Sequence, residues 1–363
     1  MSDAAEHPLV ALVESYIPPF APGPLGSLGS SVRVDAETCE PPTVHVELGF
    51  PAARYEAQLV EALRQHCGSG AAGMRFQVGW RVVSHAVQHN LKPLTGIKNI
   101  VAVASGKGGV GKSTTAVNLA LALAAEGARV GILDADIYGP SQPQLLGLSG
   151  QRPDTQDGKT LEPLLAHGLQ VMSIGFLIDA EQPMVWRGPM VTSALNQLLG
   201  QTNWQDLDYL IVDMPPGTGD IQLTLSQSVP VSGAVIVTTP QDLALLDARK
   251  GLKMFQKVNV TVLGVIENMA THICSACGHQ EAIFGAGGGQ RMADQYQVSL
   301  LGSLPLDIRI REEADSGVPT VIADPDGAIS QAYGNIALGL AARLANAGKD
   351  YSRLFPSISI EDS

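Results

Sequence analysis

A glycine-rich loop between a strand and a helix is the feature of this sequence that most narrows its possible folds. Residues 106–113 read GKGGVGKS and fit the pattern G-x-x-x-x-G-K-[ST]. The apolar segment VAVAS runs directly into the loop, and helical spacing follows it from Ser113 to Glu126. This order of elements favours a phosphate-binding loop over the alternative, a glycine-rich turn with an exposed lysine.

Each residue type in this loop has a physical role toward a nucleotide. Glycines let successive backbone N–H groups turn inward around phosphate oxygens, and the helix N-terminus adds positive potential in the same direction. We expect Lys112 to reach the β- and γ-phosphates of ATP and the Ser113 hydroxyl to bind Mg²⁺. The predicted phosphate-binding residues are Gly106, Lys107, Gly108, Gly109, Val110, Gly111, Lys112, Ser113 and Thr114.

Two further segments place aspartates directly after apolar runs. Asp213 ends the run in YLIVDMPPGTGD, where a carboxylate can hold a water of the Mg²⁺ shell. Gly217 and Gly219 permit the following loop to move as the γ-phosphate comes and goes. Asp134 and Asp136 follow the run VGILD in DADIYGPS, and either of them can instead cap a turn.

The pattern after residue 94 predicts a P-loop NTPase fold of the α/β class, a doubly wound, mostly parallel sheet. Short unbroken apolar runs are typical of strands buried on both faces of such a sheet, whose ligands bind at the carboxyl ends of the strands. The predicted strands are Ile100–Ala104, Val130–Leu133, Tyr209–Val212, Ala234–Val237 and Val262–Ile266. The predicted helices include Ser113–Glu126, Asp242–Gln256 and a last helix at Ala328–Asn346.

A small α/β unit precedes this domain. Thr43–Leu48 and Arg75–Val83 have the pattern of strands, and Tyr55–His66 has that of a helix. Residues 18–42 are rich in Pro, Gly and Ser, and we interpret them as a mobile loop or linker. The predicted divisions are residues 1–94, 95–350 and an acidic tail at 351–363.

Composition and charge narrow the class of protein. Of the 363 residues, 45% are hydrophobic and 16% are charged, which is typical of a globular chain. The net charge of −12 argues against nucleic-acid binding, which needs a basic face. The N-terminus lacks a secretory pattern, and Pro230 and Pro240 interrupt the longest uncharged run, so we expect a cytoplasmic protein without a membrane span.

Two of the four cysteines, Cys274 and Cys277, form a CxxC. In a large cytosolic chain this spacing indicates a metal or redox element. Two thiolates are too few for a structural zinc ion or an iron–sulfur cluster, and a second copy of the chain across a two-fold axis can supply two more. The alternatives are a zinc site that adds His272 or His279, and a dithiol redox pair. Cys39 and Cys67 are interpreted as a loop residue and a packed helix residue.

Four motifs in this order resemble the Mrp/ApbC family of iron–sulfur cluster carrier ATPases. They are GKGGVGKST, DADIYGPS, DMPPGTGD and ENM…CSACGH…IFGAGGG, and the likeness extends from about Leu94 to Leu344. The resemblance implies a homodimer that holds a [4Fe–4S] cluster between two CxxC pairs and passes it to apoproteins, with cluster scaffold proteins as further partners.

The same resemblance implies roles for single residues. Lys107 matches the second lysine of the deviant Walker A group, which reaches into the nucleotide of the partner subunit, and the alternative is a solvated surface lysine. Asp136 occupies the place of the residue that polarises the attacking water. Asn268 and the region near Pro305 are implied to lie close to the adenine.

The N-terminal unit more loosely resembles the small iron–sulfur assembly domain that often precedes this ATPase. The segment VHVELGFPAARYEAQLVEAL follows its strand, turn and helix outline. That domain has a cysteine near the turn, whereas this chain reads LGFPAARYE. This departure argues against a role of the unit in cluster transfer.

Two other kinds of ATPase share parts of the pattern. A positioning ATPase of the MinD/ParA type shares the phosphate loop, but it should carry a basic amphipathic C-terminal helix or a basic DNA-facing surface. The tail SRLFPSISIEDS has neither. The nitrogenase iron protein also bridges a cluster across a dimer, but its cysteines lie far apart in sequence.

Overall fold

The computed structural model describes residues 7–35, 40–88, 91–155, 158–177, 188–274 and 276–348. These residues form a three-stranded sheet in the N-terminal unit, an eight-stranded sheet in the rest of the chain and one short hairpin. A continuous hydrophobic core joins the small unit to the large sheet. The predicted division at residue 94 therefore falls between two sheets that share a core, and it stays a prediction.

The N-terminal unit packs two helices against one face of its sheet. Its elements are α1 (Pro8–Ser15), β1 (Ser31–Asp35), β2 (Thr43–Leu48), α2 (Glu56–Cys67) and β3 (Arg75–Trp80). Strand β2 lies in the middle, antiparallel to β1 and parallel to β3. The three elements predicted after residue 42 are confirmed, although the last strand ends at Trp80 because the chain then leaves the sheet.

The prediction of a loop or linker over residues 18–42 is wrong at Ser31–Asp35, where the segment forms a strand. It contains a short 3₁₀ turn at Leu25–Ser27 and strand β1. Leu25 and Leu28 are fully buried in the core of the unit. A Cβ atom on Gly49 would lie 2.2 Å from the carbonyl oxygen of Leu28, so the chain passes this segment in close contact. The two leucines anchor a stretch whose composition suggested a loop.

The large sheet has the strand order β13-β10-β9-β4-β8-β5-β7-β6. Only the edge strand β6 is antiparallel to its neighbour. Strands β8 and β9 are buried at every residue because helices cover both faces of the sheet. The strands are β4 (Ile97–Ser105), β5 (Val130–Asp134), β6 (Leu164–Ala166), β7 (Leu169–Ser173), β8 (Leu207–Asp213), β9 (Gly233–Thr238), β10 (Val262–Glu267) and β13 (Leu300–Ser303), and the hairpin consists of β11 (His272–Ile273) and β12 (Gln280–Glu281).

The doubly wound, mostly parallel architecture predicted from the sequence is confirmed, with all five predicted strands in place. Strands β6, β7 and β13 were not predicted, because short runs such as LLGS carry a weak signal. The helices are α3 (Lys112–Ala125), α4 (Gln142–Leu145), α5 (Gly188–Gln201), α6 (Asp220–Ser228), α7 (Asp242–Lys257), α8 (Gly288–Tyr296), α9 (Ile308–Asp315), α10 (Thr320–Ala323) and α11 (Ala328–Ala345). Across the described ranges, no helix has the length and apolar character needed to cross a membrane.

The small unit packs against the end of α3. Oε2 of Glu126, the residue after this helix, accepts hydrogen bonds from the backbone N–H groups of Arg54 and Tyr55, over 2.9 and 3.3 Å. A Cβ atom on the adjacent Gly127 would lie 2.5 Å from the ring of Trp80. The helix that starts in the phosphate loop thus ends in contact with the N-terminal unit.

Candidate functional site

The loop between β4 and α3 has the backbone expected of a phosphate-binding loop. Gly106 lies so close to α7 that a Cβ atom would come 2.1 Å from the backbone of Asp247, so only glycine fits. Gly111 has φ +80° immediately before α3, in the left-handed region that favours glycine. Helix α3 begins at Lys112, so its N-terminal N–H groups face the loop.

The other loop residues differ in exposure. Gly108 and Gly109 are exposed, and a Cβ atom added at either position would meet no other atom within 4 Å among the described residues. Val110 is buried and anchors the loop on the core. Thr114 is half-buried in the first turn of α3.

Lys112 is the centre of a buried polar cluster. Its ammonium nitrogen lies 2.5 Å from Oδ1 of Asp213 and 3.2 Å from the hydroxyl oxygen of Ser113. Oδ2 of Asp136 lies 3.9 Å away. Lys112 is 6% exposed and the Asp213 side chain is fully buried, so the ion pair is shielded from water. The structure thus brings together four residues that the sequence assigned to one site.

The aspartates come from neighbouring strands of the sheet. Asp134 of β5 lies opposite Asp213 of β8 in the parallel register. Burial raises the pKa of Asp134, and the nearby charge of Asp213 raises it further. Burial also raises the pKa of Asp136, against the opposing effect of the Lys112 ammonium. The site therefore concentrates acidic groups around a single lysine.

Asp134 organises the loop that follows β5. Its carboxylate accepts hydrogen bonds from the backbone N–H groups of Asp136, Ser141 and Gln142 over 2.9 to 3.1 Å, and from the hydroxyl of Ser173 over 3.1 Å. Asp134 thus caps a turn, which is the alternative that the sequence analysis gave for it.

The oxygen-rich donor set fits Mg²⁺. The hydroxyl of Ser113 and the carboxylates of Asp136 and Asp213 surround Lys112, and Mg²⁺ prefers hard oxygen ligands. Of these residues, Ser113 would bind the metal beside a nucleotide and Asp213 would hold a water of its shell.

Lys107 is half-buried at the mouth of the loop. Its carbonyl accepts a hydrogen bond from the hydroxyl of Ser105 over 2.8 Å, which fixes the backbone at this position. In the part of the chain that the structure describes, its ammonium forms no ion pair. Its role toward a partner subunit stays a prediction, as does the surface-lysine alternative.

Asn268 follows strand β10 and lies against the phosphate loop. Its side-chain amide donates to the carbonyl of Val110 over 2.9 Å, and its backbone N–H donates to Thr238 over 2.7 Å. Pro305 belongs to the segment that pairs with the residues after Asn268, through hydrogen bonds of residues 304 and 306. The implied proximity to adenine stays a prediction.

The two cysteines lie at the tip of the β11–β12 hairpin. Cys274 is half-buried and Cys277 is exposed. The backbone N–H groups of Ala276 and Cys277 lower the pKa of the Cys274 thiol, which favours the thiolate that binds metals. The backbone N–H of Gly278 donates to the Cys274 carbonyl and closes the turn over 2.8 Å.

The two histidines that could complete a zinc site belong to the same hairpin, and the backbone N–H of Cys274 donates to the carbonyl of His279 over 2.9 Å. Nδ1 of His272 contacts the carbonyl of Leu306 over 3.2 Å, while His279 is exposed. Among the described residues, no group of three or more His, Cys, Asp or Glu side chains is arranged to hold a metal ion. Cys67 is buried in α2, as predicted for a packed helix residue, and Cys39 lies outside the described residues.

One buried residue of the site escaped the sequence analysis. Gln142, the first residue of α4, donates from Nε2 to Oδ2 of Asp213 over 2.9 Å and to the Ser113 carbonyl over 3.2 Å. No pattern in the sequence marks it, because glutamine at the start of a short helix is ordinary and its partners are distant in the chain.

Comparisons with known proteins agree with this geometry. Residues 96–341 match the family model described as ParA, the NUBPL iron-transfer P-loop NTPase. An iron–sulfur cluster carrier protein of Pseudomonas fragi is 63% identical over 270 residues, which cover 74% of this chain and 94% of that protein. The mouse iron–sulfur cluster transfer protein NUBPL is 52% identical over 255 residues, which cover 70% of this chain and 80% of that protein.

A related solved structure supports the fold. A nucleotide-binding protein from Archaeoglobus fulgidus, solved in complex with ADP, aligns with a TM-score of 0.55 and 40% identity over 61% of this chain and 87% of that one. Similarity to P-loop NTPases of this kind supports nucleotide hydrolase activity in general. By its motifs, its fold and these relatives, the chain belongs to the Mrp/ApbC family of iron–sulfur cluster carrier P-loop NTPases.

Proposed function

We propose that this protein binds and slowly hydrolyses Mg·ATP and delivers a [4Fe–4S] cluster, held between two copies of the chain, to apoproteins. The observation that carries the proposal is the direct contact of the phosphate loop with the segment that bears Cys274 and Cys277. Asn268 begins that segment and donates to the Val110 carbonyl. The nucleotide site and the thiolates are thus physically connected.

In the nucleotide site, we assign Lys112 to the phosphates, where it forms charge-assisted hydrogen bonds. Asp136 accepts a hydrogen bond from the attacking water and polarises it. Bound Mg²⁺ would neutralise charge that develops on the phosphates. Lys107 extends from one copy toward the nucleotide of the other and adds positive charge there.

The cluster is the cargo of the carrier, and ligand counting supports a shared site. One chain offers two thiolates on an accessible hairpin, while a [4Fe–4S] cluster takes four cysteines. A two-fold axis through the hairpins supplies the second pair. A cluster bound in this way leaves when the two copies separate, which suits a protein that gives its cluster away.

Coupling between the sites is supported by contacts at both ends of the cysteine segment. At its start, Asn268 holds the Val110 carbonyl of the phosphate loop. At its end, the backbone N–H of Gly289 donates to Oε1 of Glu267 over 2.7 Å. The two ends of the segment are therefore held at Glu267 and Asn268, which are adjacent in sequence. A shift of the phosphate loop with nucleotide state then moves the cysteines.

We assign partner selection to the N-terminal unit. It packs on the end of α3, away from the phosphate loop, and lacks the cysteine of the domain that it resembles. The recipients of the cluster are apo iron–sulfur proteins, and scaffold proteins are the partners that donate it. The cytoplasm, where both classes occur, is the proposed location.

The test of this function is anaerobic reconstitution followed by iron and sulfide analysis, Mössbauer spectroscopy and measurement of the oligomeric state. Wild-type protein should hold one [4Fe–4S] cluster per dimer and hydrolyse ATP slowly. Cys274→Ser and Cys277→Ser should each abolish the cluster. Cys67→Ala, which removes a thiol remote from the hairpin, should retain it and serves as the matched control.

The competing function is a positioning ATPase of the MinD/ParA type with a structural zinc at the CxxC. In that case the native protein would carry one zinc ion per monomer and lose it in His279→Ala. That result would overturn the carrier assignment. Retention of the cluster in His279→Ala supports it, because the cluster needs thiolates alone.

A further inference from the structure

Gln142 connects the phosphate loop to Asp213 at the end of strand β8. Its Nε2 donates to Oδ2 of Asp213 over 2.9 Å and to the backbone carbonyl of Ser113 over 3.2 Å. Both partners are acceptors, so the orientation of the amide group is determined by chemistry. The side chain is fully buried and held in one place.

The backbone of the same residue connects a third segment. The N–H of Gln142 donates to Oδ2 of Asp134 over 3.0 Å, beside the N–H of Ser141 over 2.9 Å. One residue therefore links the end of β5, the end of β8 and the start of α3. A side chain that only filled space would need none of these polar contacts.

The two oxygens of Asp213 consequently have different partners. Oδ2 is held by Gln142, while Oδ1 faces the ammonium of Lys112 at 2.5 Å. Without the amide, the carboxylate is free to rotate and give both oxygens to the lysine. This rotation would weaken the binding of a cation beside Ser113, because Lys112 would then compete for both oxygens of Asp213.

The position also has unused hydrogen-bonding capacity. Oε1 of Gln142 and Oγ of Ser141 are buried and have no hydrogen-bond partner among the described residues. Buried polar atoms of this kind lower the stability of the folded protein unless water or a ligand pairs with them. Oε1 belongs to the same amide group that contacts Asp213 and the Ser113 carbonyl, so a water that paired with it would lie beside those contacts.

We propose that Gln142 is a positioning residue that sets the Mg²⁺ affinity of the nucleotide site by orienting the carboxylate of Asp213. This inference rests on the proposed function, in which Mg·nucleotide binds at Ser113. Residues that orient groups around a metal typically contribute about 10- to 100-fold to metal affinity. Gln142 therefore acts on the metal through Asp213, without contact to the phosphates.

The test measures Mg²⁺ binding without turnover. Full-length protein is titrated with Mg²⁺ at saturating ADP, and the rise in melting temperature gives the midpoint concentration. Gln142→Met keeps the length of the side chain but removes its donor, and it should raise the midpoint by about 10-fold or more. ADP binding in the presence of EDTA should stay unchanged, which a general structural defect would not allow.

Gln144→Met is the matched control, because Gln144 lies on the same short helix and is exposed. Its midpoint should equal that of the wild type. Gln142→Leu also removes the donor and adds no charge, so it should also raise the midpoint, and it decides the question if Gln142→Met does not fold.

Unchanged midpoints in the folded Gln142 variants would overturn the inference while leaving the proposed function intact. If the wild type shows no Mg²⁺-dependent shift with ADP, the proposed function itself fails. The two failures are thus distinguishable in one experiment.

Discussion

The side-chain amide of Asn268 donates a hydrogen bond to the backbone carbonyl of Val110 over 2.9 Å, across 158 positions of sequence. A Cβ atom on Gly111, the next residue of the loop, would lie 2.2 Å from the same amide nitrogen. The segment that carries the cysteines therefore begins in direct contact with the phosphate loop. Met269, the next residue, has φ +56°, an uncommon backbone conformation held by these contacts.

Asn268→Ala should weaken both nucleotide binding and its effect on the cluster. Loss of one buried hydrogen bond corresponds to about 1 kcal/mol, so ADP affinity should fall by up to roughly fivefold. The acceleration of cluster transfer by Mg·ATP should fall with it, as measured by activation of an apo iron–sulfur protein. Asn335→Ala, at an exposed position of α11, is the control. If cluster transfer by Asn268→Ala still depended fully on ATP, coupling through the Asn268–Val110 hydrogen bond would be contradicted.

Lys112→Met should abolish hydrolysis and destabilise the protein. The lysine contacts phosphate in our proposal, and loss of such a contact costs about 100-fold or more in rate. It also leaves the fully buried Asp213 without its cation, which costs on the order of 3–5 kcal/mol of unfolding free energy. Turnover and denaturant unfolding measure the two effects.

The double variant Lys112→Met/Asp213→Asn separates these effects. Removing the buried charge should recover much of the lost stability, but hydrolysis should stay absent. Recovery of hydrolysis in the double variant, or wild-type turnover in Lys112→Met, would exclude the assigned role.

Lys107→Ala should reduce hydrolysis more than nucleotide affinity. Lys112 already occupies the interior of the same site, so a half-buried lysine at the loop mouth adds little to binding within one chain. Turnover and ADP affinity are compared at protein concentrations above and below the concentration at which the dimer forms. Lys250→Ala, on the surface of α7, is the control. An equally large loss of binding in isolated monomers would count against action across the dimer.

Glu126→Gln should change the pH dependence of stability. Burial raises the pKa of Glu126 despite the N–H groups of Arg54 and Tyr55, so the folded chain binds this proton more tightly than the unfolded chain. Its contribution to stability is complete below the ordinary carboxyl pKa and is lost as pH rises through the raised value. Relative to the variant, the wild type should therefore lose melting temperature as the pH rises above the ordinary glutamate pKa of about 4.3. Parallel curves for the two proteins would show that this carboxyl does not titrate in that range.

Much of the fold follows from local patterns in the sequence. Unbroken apolar runs placed five strands of the large sheet, and the G-x-x-x-x-G-K-[ST] pattern placed the loop, because strand burial and glycine conformations depend on neighbouring residues. Lys112 was placed by the loop motif and Asp213 by its position at the end of a buried strand, whereas the role of Asp136 came from the family resemblance. The linker at 18–42 was misread because composition does not reveal that Leu25 and Leu28 are buried.

The contacts between distant residues depend on the order of strands in the sheet. Lys112 contacts Asp213 across 101 positions because β8 lies directly beside β4, the strand that leads into the phosphate loop. The links from Gln142 to Asp213 and from Asn268 to Val110 depend on the same order and have no local signature. Local sequence thus specified the chemistry available at each position, and the packed sheet selected which of those groups act together.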